Sequence, residues 1–293
     1  MVIVCISHGL GNQMFQYAAG RCLAVLNDTE LKLDVSHYEH HQDRRLGLSV
    51  FNLELRLASY EEITAINGCP PGERRRGLAR HLDRVRRRLN PFDRRRVIRE
   101  EHLHFDPRVL RARGDLYLMG YWQSYRYFEP VADLVRRDFT FRTPPSPRNT
   151  RLMEEMQAEE SVSLHVRRGD YVGHSVFEMR DPLDYYRRCV SDLADRRGRL
   201  RLYVFSDDVQ WVQGNLKFDW PTVFVAHNRP PQDYEDLRLM SACKHNIIVN
   251  SSFSWWAAWL NPNPDKVVCA PRQWANKAGR DSRDVTPPEW IRL

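Results

Sequence analysis

Short apolar runs alternate with helix-length amphipathic segments along this chain, and few folds accept that pattern other than helices packed on a parallel sheet. VIVCI is followed by the turn-forming SHGLGNQ and then by MFQYAAGRCLAVL, where Phe15, Ala18, Ala19, Cys22 and Leu26 recur at three- and four-residue steps. LKLDV then reads as a second strand. The later half repeats the scheme: a helix from Thr150 to Met156, the strand SVSLHV, the helix PLDYYRRCVSDLADR, strands in RLYVFSDD and VFVAH, the helix DYEDLRLMSAC, the run NIIVN, a helix carrying Trp255, Trp256 and Trp259, and the strand KVVCAP. Between the halves TPPSPRN, Thr143 to Asn149, has the proline density of a linker, which divides the chain into domains 1–145 and 146–293. The pattern predicts two Rossmann-like α/β domains facing a central cleft, although periodicity alone equally describes one larger doubly wound sheet.

Composition narrows the classes. With 293 residues, 42% of them apolar and 28% charged, the chain can bury a substantial core. The N-terminal apolar run is too short for a signal peptide, and no run of about 18 apolar residues follows, so a cytoplasmic protein is expected. Six single cysteines without CxxC spacing predict reduced, mostly buried thiols. The net charge of +7 is concentrated: between Gly72 and Glu100 lie twelve arginines, interleaved with Leu78, Leu82, Val85 and Leu89 at helical spacing. Such a segment is either a solvated amphipathic helix or a patch for nucleic acid, anionic lipid or an acidic glycolipid carrier, and it lacks the interleaved aromatics of a nucleic-acid module.

Chemistry concentrates at strand ends. SVSLHV stops at Arg167 and Arg168, followed by Gly169 and Asp170. Two permanently charged, planar guanidiniums at the carboxyl end of a strand suit phosphate oxygens, and the alternative is ion pairing with surface carboxylates. Gly9 and Gly11 allow a close backbone approach or simply a tight strand-to-helix turn; the loop matches neither GxGxxG nor a Walker sequence. Ser206-Asp207-Asp208 reads better as a helix N-cap than as a metal site, and Ser59 with Glu62 reads as a capping box. Asn250-Ser251-Ser252-Phe253-Ser254 opens the tryptophan-rich helix and offers hydroxyls and unpaired N–H groups to an anion. The aromatic stretch Tyr117 to Tyr127 is either core or a sugar-stacking surface.

GLGNQMFQYA, HVRRGDY, FSDD with Trp211, and MSACKH followed by NSSFSWWAAWLNP resemble, in order and spacing, the motif set of the α1,2-fucosyltransferases. The resemblance implies a GT-B fold, an N-terminal domain for the acceptor, and a C-terminal domain for GDP-fucose. It also implies inverting, metal-independent transfer of L-fucose to the 2-hydroxyl of a terminal β-galactoside, whether lactose-like, an oligosaccharide or a lipid-linked glycan. No cofactor and no nucleic acid would be involved, and a lipid-linked acceptor would bring the protein to the inner membrane face, where the basic helix offers a peripheral contact. By position, Arg167 would bind the β-phosphate and stabilise its departure, with Arg168 in support and His165 on the nucleoside side. The similar α1,6-fucosyltransferases share HxRR and read guanine with an aspartate sixteen residues before a phosphate-binding serine pair. That spacing assigns Asp236 to guanine and Ser251 and Ser252 to phosphate, with Phe253 and Gly11 joining the donor site, although Asp236 could equally be an ordinary exposed helix carboxylate. Ser175 stands where the α1,6 enzymes carry a candidate catalytic glutamate, and His8 stands where the family usually has glycine. The proton of the acceptor hydroxyl needs a base, for which Asp170, Glu178, Asp181 and His8 are candidates. Asn12 is expected to position acceptor or donor. The rival readings are another GDP-sugar transferase on the same scaffold, and a nucleic-acid or polyanion binder built on the 72–100 helix.

Overall fold

The computed structural model describes residues 1–40, 45–71, 90–171, 173, 174, 176, 179, 181–275 and 281–293, excepting the side chains of His40, Asp93 and Asp170. Most of the expected arginine-rich helix, residues 72–89, lies outside the described residues, as do Ser175 and Glu178. The chain divides into two units, Met1–Arg142 with Arg283–Val285, and Thr143–Ser282 with Thr286–Leu293. Each holds its own parallel sheet.

The first sheet has the order β2-β1-β4-β3, with β1 Val2–Cys5, β2 Leu31–Asp34, β3 Val97–Arg99 and β4 Leu116–Met119. Helix α1, Leu10–Leu26, connects β1 to β2 and starts four residues earlier than the apolar pattern at Met14 suggested. Gly9 caps it, accepting from the N–H groups of Asn12 at 3.0 Å and Gln13 at 3.2 Å, so the expected glycine loop is mostly the first helical turn. Gly20 lets α1 lie close on the sheet: a Cβ there would meet Leu31 Cδ1 at 2.9 Å and Val4 Cγ1 at 3.0 Å. Helix α2, Tyr60–Asn67, opens on the expected capping box of Ser59 and Glu62 and closes at Gly68 with φ 77°. Helix α3, Ala132–Asp138, completes the unit.

The second sheet has the order β10-β9-β8-β5-β6-β7. Its strands are β5 Ser161–Val166, β6 Arg201–Ser206, β7 Thr222–Val225, β8 His245–Ile247, β9 Val268–Ala270 and β10 Ile291–Arg292. The helices are α4 Pro147–Ala158, α5 Pro182–Arg197, α6 Val209–Asn215, α7 Tyr234–Ala242 and α8 Ser252–Leu260. The end of the proline-rich stretch is helical: Ser146 caps α4 by accepting from the Asn149 N–H, and Pro147 takes the first helical position, where its missing N–H costs nothing.

Strand β5 corrects a simple reading of its alternating sequence, because all six residues are buried. Central in a parallel sheet, it has two covered faces, and its serines are satisfied there. Ser161 Oγ donates to the Met156 carbonyl at 2.6 Å, and Ser163 Oγ accepts from Asn246 Nδ2 at 2.7 Å. Val162, Leu164 and Val166 pack with Tyr185, Cys189 and Leu193 of α5, each such burial stabilising by about 1.5–3 kcal/mol.

The aromatic stretch after β4 is mainly core: Tyr117, Trp122 and Tyr127 are buried and only Tyr121 is exposed. The bend that follows is clamped by Glu100, whose carboxylate accepts from the N–H groups of Tyr121 at 2.7 Å and Trp122 at 2.9 Å. Trp122 takes φ 57°, and a Cβ on Gly120 would lie 2.4 Å from Glu100 Cβ, so the turn admits no side chain. Gly120→Ala is expected to destabilise the unit by about 1–3 kcal/mol, seen as a lower urea midpoint with an unchanged slope.

Candidate active site

The chain path through the second sheet selects one place for chemistry. From β5 it runs outward to β6 and β7, then crosses to β8 on the other side of β5. The carboxyl ends of β5 and β8 therefore flank a topological switch point, the position at which open α/β sheets bind ligands. β5 ends there in His165, Val166, Arg167 and Arg168; β8 leads there into Asn250, Ser251, Ser252 and Phe253. The two loops are tied by the Tyr171 hydroxyl, which donates to the Asn250 carbonyl at 3.1 Å.

The arginines are held differently. Arg167 Nη1 lies 3.0 Å from Asp207 Oδ2, with both side chains about a quarter exposed, and its guanidinium sits 5.8 Å from the Tyr171 ring centre. Arg168 is fixed on three sides: its Nε lies 3.3 Å from Asp208 Oδ2, its guanidinium lies 3.6 Å from the centre of the Trp211 ring, and its N–H donates to Asp207 Oδ1 at 2.9 Å. Arg168 is thereby held by Asp207, Asp208 and Trp211 together. The two aspartates divide the work: Asp208 caps α6 through the Trp211 N–H at 3.1 Å, as the sequence suggested, whereas Asp207 binds the arginine turn. Gly169 is required by that contact, since a Cβ there would lie 2.7 Å from Asp207 Oδ2.

His165 is buried, its ring centre 6.1 Å from that of Phe253, and its Nδ1 has no hydrogen-bond partner among the described residues. Burial, reinforced by the charge of Arg167, pushes its pKa down to about 3, so the imidazole is neutral. Ser251 is the N-cap of α8, but its hydroxyl accepts no capping bond, and Ser252 opens the helix. The first N–H groups of α8 thus keep their capacity for an acceptor.

Asp236 lies in the first turn of α7, half-buried rather than freely exposed. Its Oδ1 accepts from Asn228 Nδ2 at 2.8 Å. Burial and the nearby charges of Asp233 and Glu235 push its pKa up to about 7, against the opposing Asn228 bond. Behind it a buried polar chain fixes the loop: Asn149 Nδ2 donates to Asn228 Oδ1 at 3.1 Å and to Glu235 Oε2 at 2.9 Å, while Glu235 pairs with Arg238 at 3.2 Å. Asn228 and Asn149 were not legible as site residues, because only the long-range bonds give them a function.

Gly11 and Asn12 belong to the first unit, in the opening turn of α1, where Asn12 Oδ1 accepts from Gln123 Nε2 at 2.7 Å. Asp170 lies in the helical turn Gly169–Tyr171, its side chain outside the described residues. Asp181 is engaged as the N-cap of α5, accepting from the Asp184 N–H at 3.1 Å. No group of three or more His, Cys, Asp or Glu suited to a metal ion occurs among the described residues, all six cysteines are free, and no described helix is long and apolar enough to cross a membrane.

Residues 96–293 match the model of glycosyl transferase family 11. The chain is 31% identical over 311 residues to the O-antigen biosynthesis glycosyltransferase WbnK of Escherichia coli, across 99% of both proteins. It is 29% identical over 313 residues to an Escherichia coli alpha-1,2-colitosyltransferase, across 100% of this chain and 99% of that protein. To human galactoside alpha-(1,2)-fucosyltransferase 1 it is 24% identical over 164 residues, covering 50% of this chain and 43% of the human protein. Among solved structures, a mutant of Arabidopsis thaliana FUT1 in complex with GDP aligns with a TM-score of 0.50 at 12% identity, covering 95% of this chain and 71% of that one. Fucosyltransferase NodZ from Bradyrhizobium aligns with a TM-score of 0.50 at 15% identity, covering 89% and 92%. At those identities the likeness concerns fold alone, and the fold is the GT-B type.

If Asp207 shapes the arginine turn, Gly169→Ala should cost far less once Asp207 is removed. A double-mutant cycle of Gly169→Ala with Asp207→Gly, read by urea unfolding, should give a coupling of about 1 kcal/mol or more; additivity would show that the contact carries no energy.

Proposed function

The chain belongs to glycosyltransferase family 11, the α1,2-fucosyltransferase family, and on that premise we propose that it moves L-fucose from GDP-fucose to the 2-hydroxyl of a terminal β-galactoside, with inversion and without a metal. The observation that supports the donor half is the cation of Arg167 and the uncapped N-terminus of α8, placed after the two strands that flank one sheet crossing. Arg167 presents a guanidinium to the β-phosphate and neutralises the charge that builds as the bond from fucose C1 to the phosphate oxygen breaks, the task a metal performs elsewhere. The N–H groups and hydroxyls of Ser251 and Ser252 take further phosphate oxygens. Asp236 accepts from the N–H donors of guanine, and neutral His165, its Nδ1 lacking a partner among the described residues, offers a hydrogen bond on the nucleoside side, with Phe253 against it. Arg168 acts through Arg167.

The acceptor is assigned to the first unit, where Asn12 and its neighbours lie. The O-antigen biosynthesis relative supports a glycan acceptor; an oligosaccharide or lipid-linked form of it, met at the cytoplasmic face of the inner membrane, belongs to the same proposal. The colitosyl relative supports a second reading, transfer of a different 6-deoxy sugar by the same machinery. Incubation with GDP-fucose and lactose in EDTA separates the readings: fucosylated product supports the first, and turnover of another GDP-sugar alone supports the second.

Arg167→Ala should lower kcat by about 10²–10³ while leaving the fold intact, equivalent to roughly 3–4 kcal/mol of lost transition-state stabilisation. Because burial raises the Asp236 pKa to about 7, its carboxyl becomes increasingly neutral below that pH and presents a proton towards the guanine donors. GDP affinity should therefore fall as pH drops from 8 to 5. The ratio of native to Asp236→Asn affinities, in which the titration of GDP itself cancels, should shrink by up to tenfold per pH unit below 7, as calorimetry would show. A ratio constant with pH would remove Asp236 from base recognition.

A further inference from the structure

Asp236 is met by a chain of amides whose orientation is forced from its far end. Asn149, in the first turn of α4, is fully buried, and Glu235, in the first turn of α7, nearly so. Glu235 pairs with Arg238, whose Nη2 also donates to the Thr143 carbonyl at 2.7 Å, so its carboxylate is fixed and only accepts. The Asn149 atom 2.9 Å from Glu235 Oε2 is therefore the amide nitrogen. Its second N–H points to the Asn228 side chain at 3.1 Å, which must answer with its oxygen. The Asn228 nitrogen is left facing Asp236 Oδ1 at 2.8 Å, the one hydrogen bond to this carboxylate among the described residues. The other end of Asn149 agrees, for its oxygen lies 2.7 Å from His227 Nε2, which then carries the ring hydrogen.

That last bond opposes its surroundings. Asp233 and Glu235, in the same turn, and burial itself all disfavour a charged Asp236, and among the described residues only the Asn228 N–H favours it. Burial and the charge of Arg148 on α4 lower the pKa of His227, on the loop after β7. Against α7 also pack α8, which has no charged residue, β5 with its neutral His165, and β6, whose Arg201 pairs with Glu159 at 2.9 Å and whose Tyr203 burial keeps protonated. A protonated Asp236 would itself donate, and an Asn228 free to flip would accept with its carbonyl; the anchored chain forbids the flip.

We propose that Asn149 and Asn228 are positioning residues: a one-way relay from Glu235 turns the Asn228 N–H towards Asp236 and keeps it an acceptor, the form that reads the N–H donors of a base. The inference rests on the guanine reading of Asp236 above.

The test is the titration of the Asp236 carboxyl carbon by NMR in the full, ligand-free chain, with Asp236→Asn identifying the signal. Asn228→Ala, in a half-buried loop, should raise the midpoint by about one pH unit or more. Asn149→Ala or Asn149→Ser, which does not touch Asp236, should raise it in the same direction, and adding Asn149→Ser to Asn228→Ala should move it no further. The preference for GDP over ADP should fall about fivefold at pH 7 in Asn228→Ala and return to within twofold of native at pH 8.5, a recovery that a merely structural loss would not show. An unmoved midpoint in Asn228→Ala overturns the proposal, and so does a midpoint that moves in Asn228→Ala but in neither Asn149 variant. If the midpoint moves as expected while the preference for GDP does not, the relay stands and the guanine reading fails.

Discussion

The contact on which the donor-side corner depends is the one between Asp207 and the turn that follows β5. A bare arginine pair at a strand end would sample many rotamers and repel itself, and a phosphate would have to order it at an entropic cost. Asp207 receives the Arg168 N–H on one oxygen and the Arg167 guanidinium on the other, so one carboxylate fixes both backbone and side chain. Gly169 exists to let that carboxylate in. Arg168 is immobilised further by Asp208 and by stacking on Trp211.

The same corner explains why neighbouring aspartates have separate fates. Asp208 sits where its side chain reaches back to the third N–H of α6, and Asp207, one residue earlier at the strand end, faces β5 instead. Because β5 and β6 pair in parallel with Val166 opposite Ser206, the residues just past both strands are brought side by side. Strand register, a property of the sheet rather than of either segment, therefore decides which carboxylate meets which arginine.

That distinction marks what was legible in the sequence. Most strands, the long helices, the capping box at Ser59 and the cap at Asp208 were readable because their signals are local, a period or a spacing of three; β3 was not, for Val97–Arg99 lies in the stretch 72–100 read as an arginine-rich helix and is a strand only through pairing with β4. Arg167 was readable because a charge immediately after a strand is conspicuous. The two-residue strand β10 was not, since Ile291 and Arg292 are a strand only through pairing with Cys269 and Ala270. The double burial of β5 was hidden by its alternating Ser and His; the two serines are satisfied by Met156, Lys244 and Asn246 from elsewhere in the chain. Asn228 and Asn149 stayed invisible for the same reason: an asparagine becomes a site residue by what lies opposite it. The early start of α1 shows tertiary bonding overriding the low helix propensity of Gly11.

The two sheets place unlike chemistry at like positions. Just past β5 and β6 the side chains are charged, two arginines against two aspartates. Where β1 meets β4 they are hydrogen-bonding groups and rings, namely Ser7, His8, Asn12, Tyr121 and Gln123, beside the Glu100 carboxylate that clamps the bend. A diphosphate needs fixed positive charge and a base-reading carboxylate; a sugar hydroxyl needs directional bonds and a flat apolar surface. On the proposed reading the charged corner serves the diphosphate donor and the hydrogen-bonding one a sugar acceptor.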